Sequence, residues 1–551
     1  MKVRLAIGLL VALAGLPATA SAQQGLGASL NAAPGSDSVV ISRHVYGHFA
    51  EMLGRDIYDG FWYREGNGPW HLRQEIIDAM KKIKVPNLRW PGGCFADYYH
   101  WKDAIGPQAE RAPIVNSSWG GVVEDNSFGT HEYFELVKAL GTEPFVVGNV
   151  GSGTVQEMVD WWDYINHPGG SRMANLRAAN GHPAPFEGAR EANGRKSMFW
   201  GVGNESWGCG GRMTAPEYAT EFRRHSEYLR NMGDVSPFLI ATGPSGADTT
   251  WMAGFMANAG RGRVGGIDLH YYTRPNRAPG QAMPQPGQRA GGGAPGQGGP
   301  PQQQGPQLNR NATGFGENEW FAVVRNALQI ENLVSTHSAI MDRYDPQKRI
   351  WLIVGEWGTW YTQEPGSHPG FLYQQNSLRD GLVAAIHFDI FNKHADRVRM
   401  ANIAQTVNVL QAMILTQGPQ IILTPTYHVF EMYTVHHDAT LVPITYEAGS
   451  YTMNGETIPA ITASASRKDG LLHVTMSNLD ANQPRAVTVQ LQGARPTRVT
   501  GRILTGSAID AHNTFEKPTT VQPAPFTGAK IAGSTLTVQL PAKSVIVLEL
   551  Q

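Results

Sequence analysis

Short apolar runs alternate with amphipathic stretches along most of the chain. Eight runs read as strands: Val45–Phe49, Leu88–Trp90, Pro144–Val150, Phe199–Gly203, Phe238–Thr242, Ile267–His270, Ile350–Val354 and Val398–Ala401. Between them lie helical patterns. Leu72–Ile83 carries apolar residues at 72, 76, 77, 80 and 83, which form one face of a helix. Tyr133–Leu140, Pro216–Met232 and Trp320–Tyr344 read the same way. Strands that alternate with helices predict a parallel sheet. Eight such units within residues 23–420 predict a (β/α)8 barrel, whose active site sits at the C-terminal ends of the strands.

From residue 421 to 551 the pattern changes. Ile461–Ser466, Leu471–Ser477, Ala486–Leu491, Arg498–Leu504, Thr535–Leu540 and Ser544–Leu550 are short β-rich runs separated by turn residues such as Asp469-Gly470 and Gly493. Evenly spaced strands without helices predict an antiparallel, jelly-roll-like β-sandwich. Residues 23–40, ahead of the first barrel strand, are a candidate for one more strand of it.

Composition narrows the class. Of 551 residues, 41% are hydrophobic and 17% charged, with a formal net charge of −1. That excludes a highly charged disordered chain and gives no basic excess for nucleic acid. Two cysteines exclude a disulfide scaffold. Residues 1–22 pair Lys2 and Arg4 with an apolar run, Leu5–Leu16, and end in Ala20-Ser21-Ala22. This pattern reads as a signal peptide and predicts a secreted or periplasmic protein. The run is too short to span a bilayer, so no membrane association is expected after cleavage. Residues 274–313 hold 9 Gly, 8 Pro and 8 Gln with no aromatic and no acidic residue. Such a segment cannot bury enough apolar surface to offset its ordering entropy, and it is expected to be disordered. It interrupts the barrel after the sixth strand, at the rim of the expected site.

Polar residues and aromatics gather where the strands end. Glu205 follows the fourth strand in Gly203-Asn204-Glu205, and Glu356 follows the seventh in Gly355-Glu356-Trp357. Strands 4 and 7 face each other across the mouth of such a barrel, so both carboxylates can reach one substrate. Two facing carboxylates beside aromatics are the equipment of glycoside hydrolysis. One protonates the leaving oxygen while the other attacks the anomeric carbon. A single strand-end glutamate would more simply be a solvated loop residue or a helix cap. The pair, with Asn204, Tyr272 and Trp360 at equivalent depth, favours catalysis.

Longer stretches carry a family resemblance: Tyr46–Gly60 (YGHFAEMLGRDIYDG), Leu88–Pro107 (LRWPGGCFADYYHWKDAIGP), Gly148–Glu157 (GNVGSGTVQE), Gly201–Gly211 (GVGNESWGCGG), His270–Thr273, Glu356–Tyr361, Arg399–Thr416 and Thr424–Tyr433. From about Val40 to the C-terminus the chain resembles the α-L-arabinofuranosidases of glycoside hydrolase family 51. The resemblance implies Glu205 as acid/base and Glu356 as nucleophile. It implies that Asn204 bonds the sugar 2-hydroxyl, and that Glu51, Cys94 and Gln405 line the glycone pocket. Tyr272, with Tyr271 as the alternative, would orient the nucleophile, and Trp360 would stand on the leaving-group side. Many members of that family carry Asp before the nucleophile, whereas this chain has Gly355.

No metal or cofactor is called for, because carboxylates supply both acid and nucleophile. The histidines, among them His44, His48, His100, His131 and His270, show no His-Glu-x-x-His spacing. Cys94 and Cys209 both follow barrel strands. The match of Cys94 to a pocket position favours free thiols over a bridge. The reading is an exported, retaining exo-glycosidase that removes terminal α-L-arabinofuranosyl groups from arabinan, arabinoxylan or their oligosaccharides, as a possible homo-oligomer. A β-xylosidase or endo-β-glucanase of the same family is the alternative. A non-catalytic carbohydrate-binding protein is the reading from another class.

Overall fold

The computed structural model describes residues 25–31, 39–192, 195–260, 263–280 and 308–551. The expected signal peptide and most of the 274–313 insertion lie outside the described residues.

Eight parallel strands close into a barrel: β1 (Gly47–Phe49), β2 (Asn87–Trp90), β3 (Glu143–Gly148), β4 (Arg195–Val202), β5 (Val235–Ala241), β6 (Gly266–Thr273), β7 (Trp351–Thr359) and β8 (Val398–Ile403). Each pairs with the next, β8 pairs with β1, and β4 pairs with β5 to complete the ring. All eight predicted strands exist, with shifted ends. Val45 and Tyr46 belong to a 3-10 turn, Arg43–Tyr46, which Ser42 caps by accepting from the His44 N–H. β6 and β7 run several residues past their predicted ends. Tyr272 and Glu356 therefore stand inside strands rather than on loops.

Trp351 and Ile353 of β7 join Phe145, Val147, Phe199 and Met400 in a cluster contributed by several strands, which fills the barrel interior. Strict alternation would then turn Glu356 outward, toward the helices. The β6–β7 register shifts here: Asp268 pairs with Ile353 but His270 pairs with Glu356, so β7 carries one extra residue. This bulge turns Glu356 inward. Gly355 sits in it. A Cβ at Gly355 would stand 2.3 Å from Asp268 Oδ1, so no larger residue fits beside that carboxylate.

The outer helices follow the sequence unevenly. Gln74–Lys82, Thr130–Leu140 and Ala215–Tyr228 match predicted stretches. Trp320–Tyr344 is two helices, Glu317–Leu328 and Ile330–Tyr344, divided at Gln329. Leu378–Lys393 had no periodic signal because its residues from Leu378 to Asn392 are all buried. It lies between barrel and sandwich. There Asp389 accepts from Thr462, Thr475 and Tyr433, and Asn392 donates to Ser464. Burial pushes the Asp389 carboxyl up to about 7.

The sandwich has a five-stranded and a six-stranded sheet. Ile461–Lys468, Leu471–Asn478, Ser544–Leu550 and Val499–Leu504 are antiparallel neighbours in the larger one. Leu26–Asn31 lies in the smaller sheet, parallel to Arg485–Gln492 and antiparallel to Ile444–Tyr446. Thr535–Leu540 alternates buried and open positions, and its buried residues meet those of the other sheet in one apolar core. A helix, Pro425–Tyr433, follows β8 and packs on Leu378–Lys393. It also meets the sandwich strands Val499–Leu504 and Ser544–Leu550, and so lies between the two parts.

The described ends of the insertion differ from the expected disorder. Arg277 pairs with Glu456, and Ala278 and Ala312 are buried.

Candidate active site

All eight residues singled out in the sequence, Glu51, Cys94, Asn204, Glu205, Tyr272, Glu356, Trp360 and Gln405, line one cavity of about 130 Å³ at the C-terminal ends of the strands. Gly93, Trp119, Leu372 and Leu410 complete its wall. Clefts of about 860 and 690 Å³ lie elsewhere, but neither holds a comparable convergence of carboxylates and aromatics.

Glu356 is fixed from two sides. Arg89 of β2 donates to its Oε1 at 2.9 Å, and the Tyr272 hydroxyl donates to its Oε2 at 2.7 Å. Arg89 is 1% exposed and also donates to Gly355 O (2.9 Å) and Asn204 Oδ1 (2.6 Å). One guanidinium thus ties together β2, β4 and β7. Asp97 accepts from the backbone N–H groups of Asn204, Val150 and Gly151, which holds the end of β4 against that of β3. Burial pushes Asp97 up to about 7. Glu205 has φ +37°, a left-handed conformation that non-glycine residues seldom adopt.

Glu51 accepts from Gly93 N (2.9 Å), Trp119 Nε1 (2.9 Å) and Gln405 Nε2 (2.6 Å). Burial, and then the charge of Glu356, raise it to about 7. A Cβ at Gly93 would fall 2.7 Å from Glu356 Oε1, so glycine keeps this wall open.

His270 links the two glutamates. Its Nδ1 lies 2.8 Å from Glu205 Oε1 and 3.4 Å from Glu356 Oε2, and its Nε2 lies 3.1 Å from Asp268 Oδ2. Burial alone would lower its pKa. The charges of Glu356 and Asp268, with hydrogen bonds to Asp268 and Glu205, outweigh burial and hold it well above 6.5. The folded protein therefore keeps an imidazolium where the unfolded chain releases the proton. Its stabilisation is complete below about pH 6.5 and fades as pH rises through the folded value. The gap in Tm between wild type and His270→Gln is expected to be widest near pH 6 and narrower near pH 9. Thermal unfolding across that range checks it, and a gap that grows with pH contradicts it.

Glu205, His270 and Glu356 offer donor atoms within 4.8 Å of one another, the spacing of a cation site. Both His270 nitrogens already face carboxylates, and both Glu356 oxygens accept from Arg89 and Tyr272.

Cys94 and Cys209 form a disulfide with Cα atoms 5.5 Å apart, which corrects the expectation of free thiols. The loops after β2 and β4 bring the two residues together, as their shared position after barrel strands allowed, and the thiols are joined rather than free. Sequence reasoning also passed over Arg89, Asp268, His270 and Trp119. A charge inside the short strand Asn87–Trp90 was the visible signal for Arg89. The i, i+2 spacing of Asp268 and His270, which puts both on one strand face, was the signal for that pair.

Comparison with known proteins follows the same lines. Residues 79–284 match the family described as alpha-L-arabinofuranosidase 1 domain, and residues 355–544 match the alpha-L-arabinofuranosidase C-terminal domain. An intracellular exo-alpha-L-arabinofuranosidase of Bacteroides ovatus is 43% identical over 98% of this chain and 99% of its own length. An intracellular exo-alpha-(1->5)-L-arabinofuranosidase of Streptomyces lividans is 27% identical over 91% of this chain and 72% of its own. The crystal structure of the GH51 arabinofuranosidase from Xanthomonas axonopodis pv. citri superimposes with a TM-score of 0.86 at 42% identity. The match covers 96% of this chain and 100% of that one. The first two relatives are named as intracellular, which overturns the secreted or periplasmic placement drawn from residues 1–22. A basic start and an apolar run are a compositional pattern, and they do not establish an address. By its matched domains, its 43% identical relative and its shared fold, the chain belongs to the α-L-arabinofuranosidases of glycoside hydrolase family 51.

Proposed function

We propose that the protein is a retaining, exo-acting hydrolase that removes terminal α-L-arabinofuranosyl groups from arabinose-containing glycans. The observation that carries this reading is a pair of carboxylates, Glu205 and Glu356, with oxygens within 4.8 Å in a 130 Å³ cavity. Retaining enzymes hold their carboxyl groups about 5–5.5 Å apart, whereas inverting ones need about 6.5–9.5 Å to admit water. A cavity this small suits one terminal pentose rather than the interior of a polymer, which favours exo action over an endo-glucanase cleft.

In this reaction Glu356 attacks the anomeric carbon as Glu205 protonates the departing oxygen. A glycosyl–Glu356 ester forms. Glu205 then takes a proton from water, which attacks the same carbon, expels Glu356 and restores the original configuration. Arg89 and Tyr272 hold the Glu356 oxygens so that one lone pair points at the sugar. Asn204 and the Glu51–Gln405 pair present hydrogen-bonding groups to the ring hydroxyls. A sugar that lacks a matching hydroxyl leaves buried polar groups unpaired and is rejected strongly.

The test is the stereochemistry of the first product, followed by NMR on an aryl α-L-arabinofuranoside, together with Glu205→Ala. The α anomer should appear before mutarotation. Glu205→Ala should lower kcat/KM by about 10²–10⁴-fold for a poor leaving group and far less for an acidic phenol that departs without protonation. A β first product, or equal losses for both leaving groups, rejects the assignment.

A further inference from the structure

The two described ends of the 274–313 insertion are anchored at the cavity mouth. Trp360 lines the cavity and is half-buried, and its N–H donates to Thr273 O at 3.0 Å. Two residues on, the Thr362 N–H donates to Arg310 O at 2.9 Å. Both described ends of the insertion are therefore held along Trp360–Thr362. Asn326 Nδ2 holds the departing end by donating to Arg274 O at 2.6 Å. The Arg274 guanidinium lies over the Trp360 ring, 4.1 Å from its centroid.

The charge here is one-sided. Residues 274–313 contain four arginines and no acidic residue. Arg277 is neutralised by Glu456. Among the described residues neither Arg274 nor Arg310 has a carboxylate within ion-pair distance. Arg274 lies over Trp360 and Arg310 is held to Thr362 two residues on, so both cations belong to the stretch beside the cavity mouth. Two guanidiniums without counter-ions, one of them stacked on an aromatic ring, suit a planar carboxylate, which arginine binds in a bidentate, charge-assisted manner.

The glycone enters the cavity, and the rest of the substrate stays at its mouth. We infer that Arg274 and Arg310 form a leaving-group subsite for a uronic acid, so that the preferred substrates carry the arabinofuranosyl group on a carboxylate-bearing sugar. This inference rests on the hydrolase reading above.

The experiment compares kcat/KM for two arabinofuranosyl disaccharides that differ only at the leaving sugar, one a uronate and the other its carboxyl-reduced alcohol. Wild type is expected to prefer the uronate about tenfold at low salt, and less at about 0.5 M salt. The ratio should fall to about one in Arg274→Gln/Arg310→Gln. It should fall part-way in Arg310→Gln alone, a change of an exposed side chain. Arg310→Lys should keep part of it. A wild-type ratio near one, with both disaccharides cleaved, overturns the subsite and leaves the hydrolase standing. A preference that survives in the double variant also overturns it. No turnover of either disaccharide or of an aryl arabinofuranoside overturns both readings.

Discussion

Replacing Glu356 with alanine is expected to lower kcat/KM on an aryl α-L-arabinofuranoside by at least about 10⁴-fold while leaving the fold intact. In the proposed reaction Glu356 makes the covalent bond that divides one difficult displacement into two. No other carboxylate can take its place: Glu51 is committed to Gly93, Trp119 and Gln405, and Asp268 to Gly355 and His270. Alanine leaves a space beside the anomeric carbon that a small anion can enter. Azide should restore turnover and yield the β-configured glycosyl azide, the product of one inversion. Glu205→Ala, which keeps the nucleophile, should instead give the α-configured azide. Azide product of one configuration from both variants, or none from either, overturns the division of roles. Circular dichroism separates loss of chemistry from loss of structure.

Arg89→Ala is expected to damage both stability and catalysis. Arg89 is buried, and its guanidinium meets Glu356, Asn204 and Gly355 O, with Asp268 Oδ2 4.0 Å away. Its removal takes one of two cations, Arg89 and His270, from the buried carboxylates Glu356 and Asp268, a change that costs about 3–5 kcal/mol. Arg89→Lys keeps the charge but not the planar fork, so one ammonium cannot hold Glu356 and Asn204 together. The lysine variant should recover most of the stability, with kcat still about 10²-fold low. Urea unfolding and steady-state kinetics on both variants measure the two effects separately. Full activity in Arg89→Lys would show that the charge alone suffices.

Much of the molecule was legible in advance, for physical reasons. Barrel strands read clearly because each is a short apolar run between polar loops. Asn204, Glu205, Tyr272, Glu356 and Trp360 stood out because strand ends are where a barrel must place its chemistry, whereas Glu51, Cys94 and Gln405 came only from the family resemblance. Leu378–Lys393 was invisible for the opposite reason: burial on every side removes the period that marks a surface helix. Residues 23–40 were expected to add a strand to the sandwich, and Leu26–Asn31 does so, but its pairing with Arg485–Gln492, more than 450 residues away, is encoded by no local pattern. The disulfide was missed for another reason: both cysteines were placed after barrel strands, but the match of Cys94 to a pocket position favoured free thiols. The inward aim of Glu356 depends on one extra residue in β7, which changes neither the composition nor the hydrophobicity of that strand.

That extra residue binds two positions into one unit of inheritance. The carboxylate at Asp268 occupies the room that a side chain at position 355 would need. An aspartate arriving at 355 would bring a second negative charge into contact with the first. Losing Asp268 alone would strip His270 of its partner and leave the Gly355 N–H unsatisfied. Each single change is therefore expected to be harmful, because either one breaks the fit between the Asp268 carboxylate and the bare backbone at 355. Ancestral reconstruction or site-by-site grafting in this family should therefore treat 268 and 355 as a single heritable character.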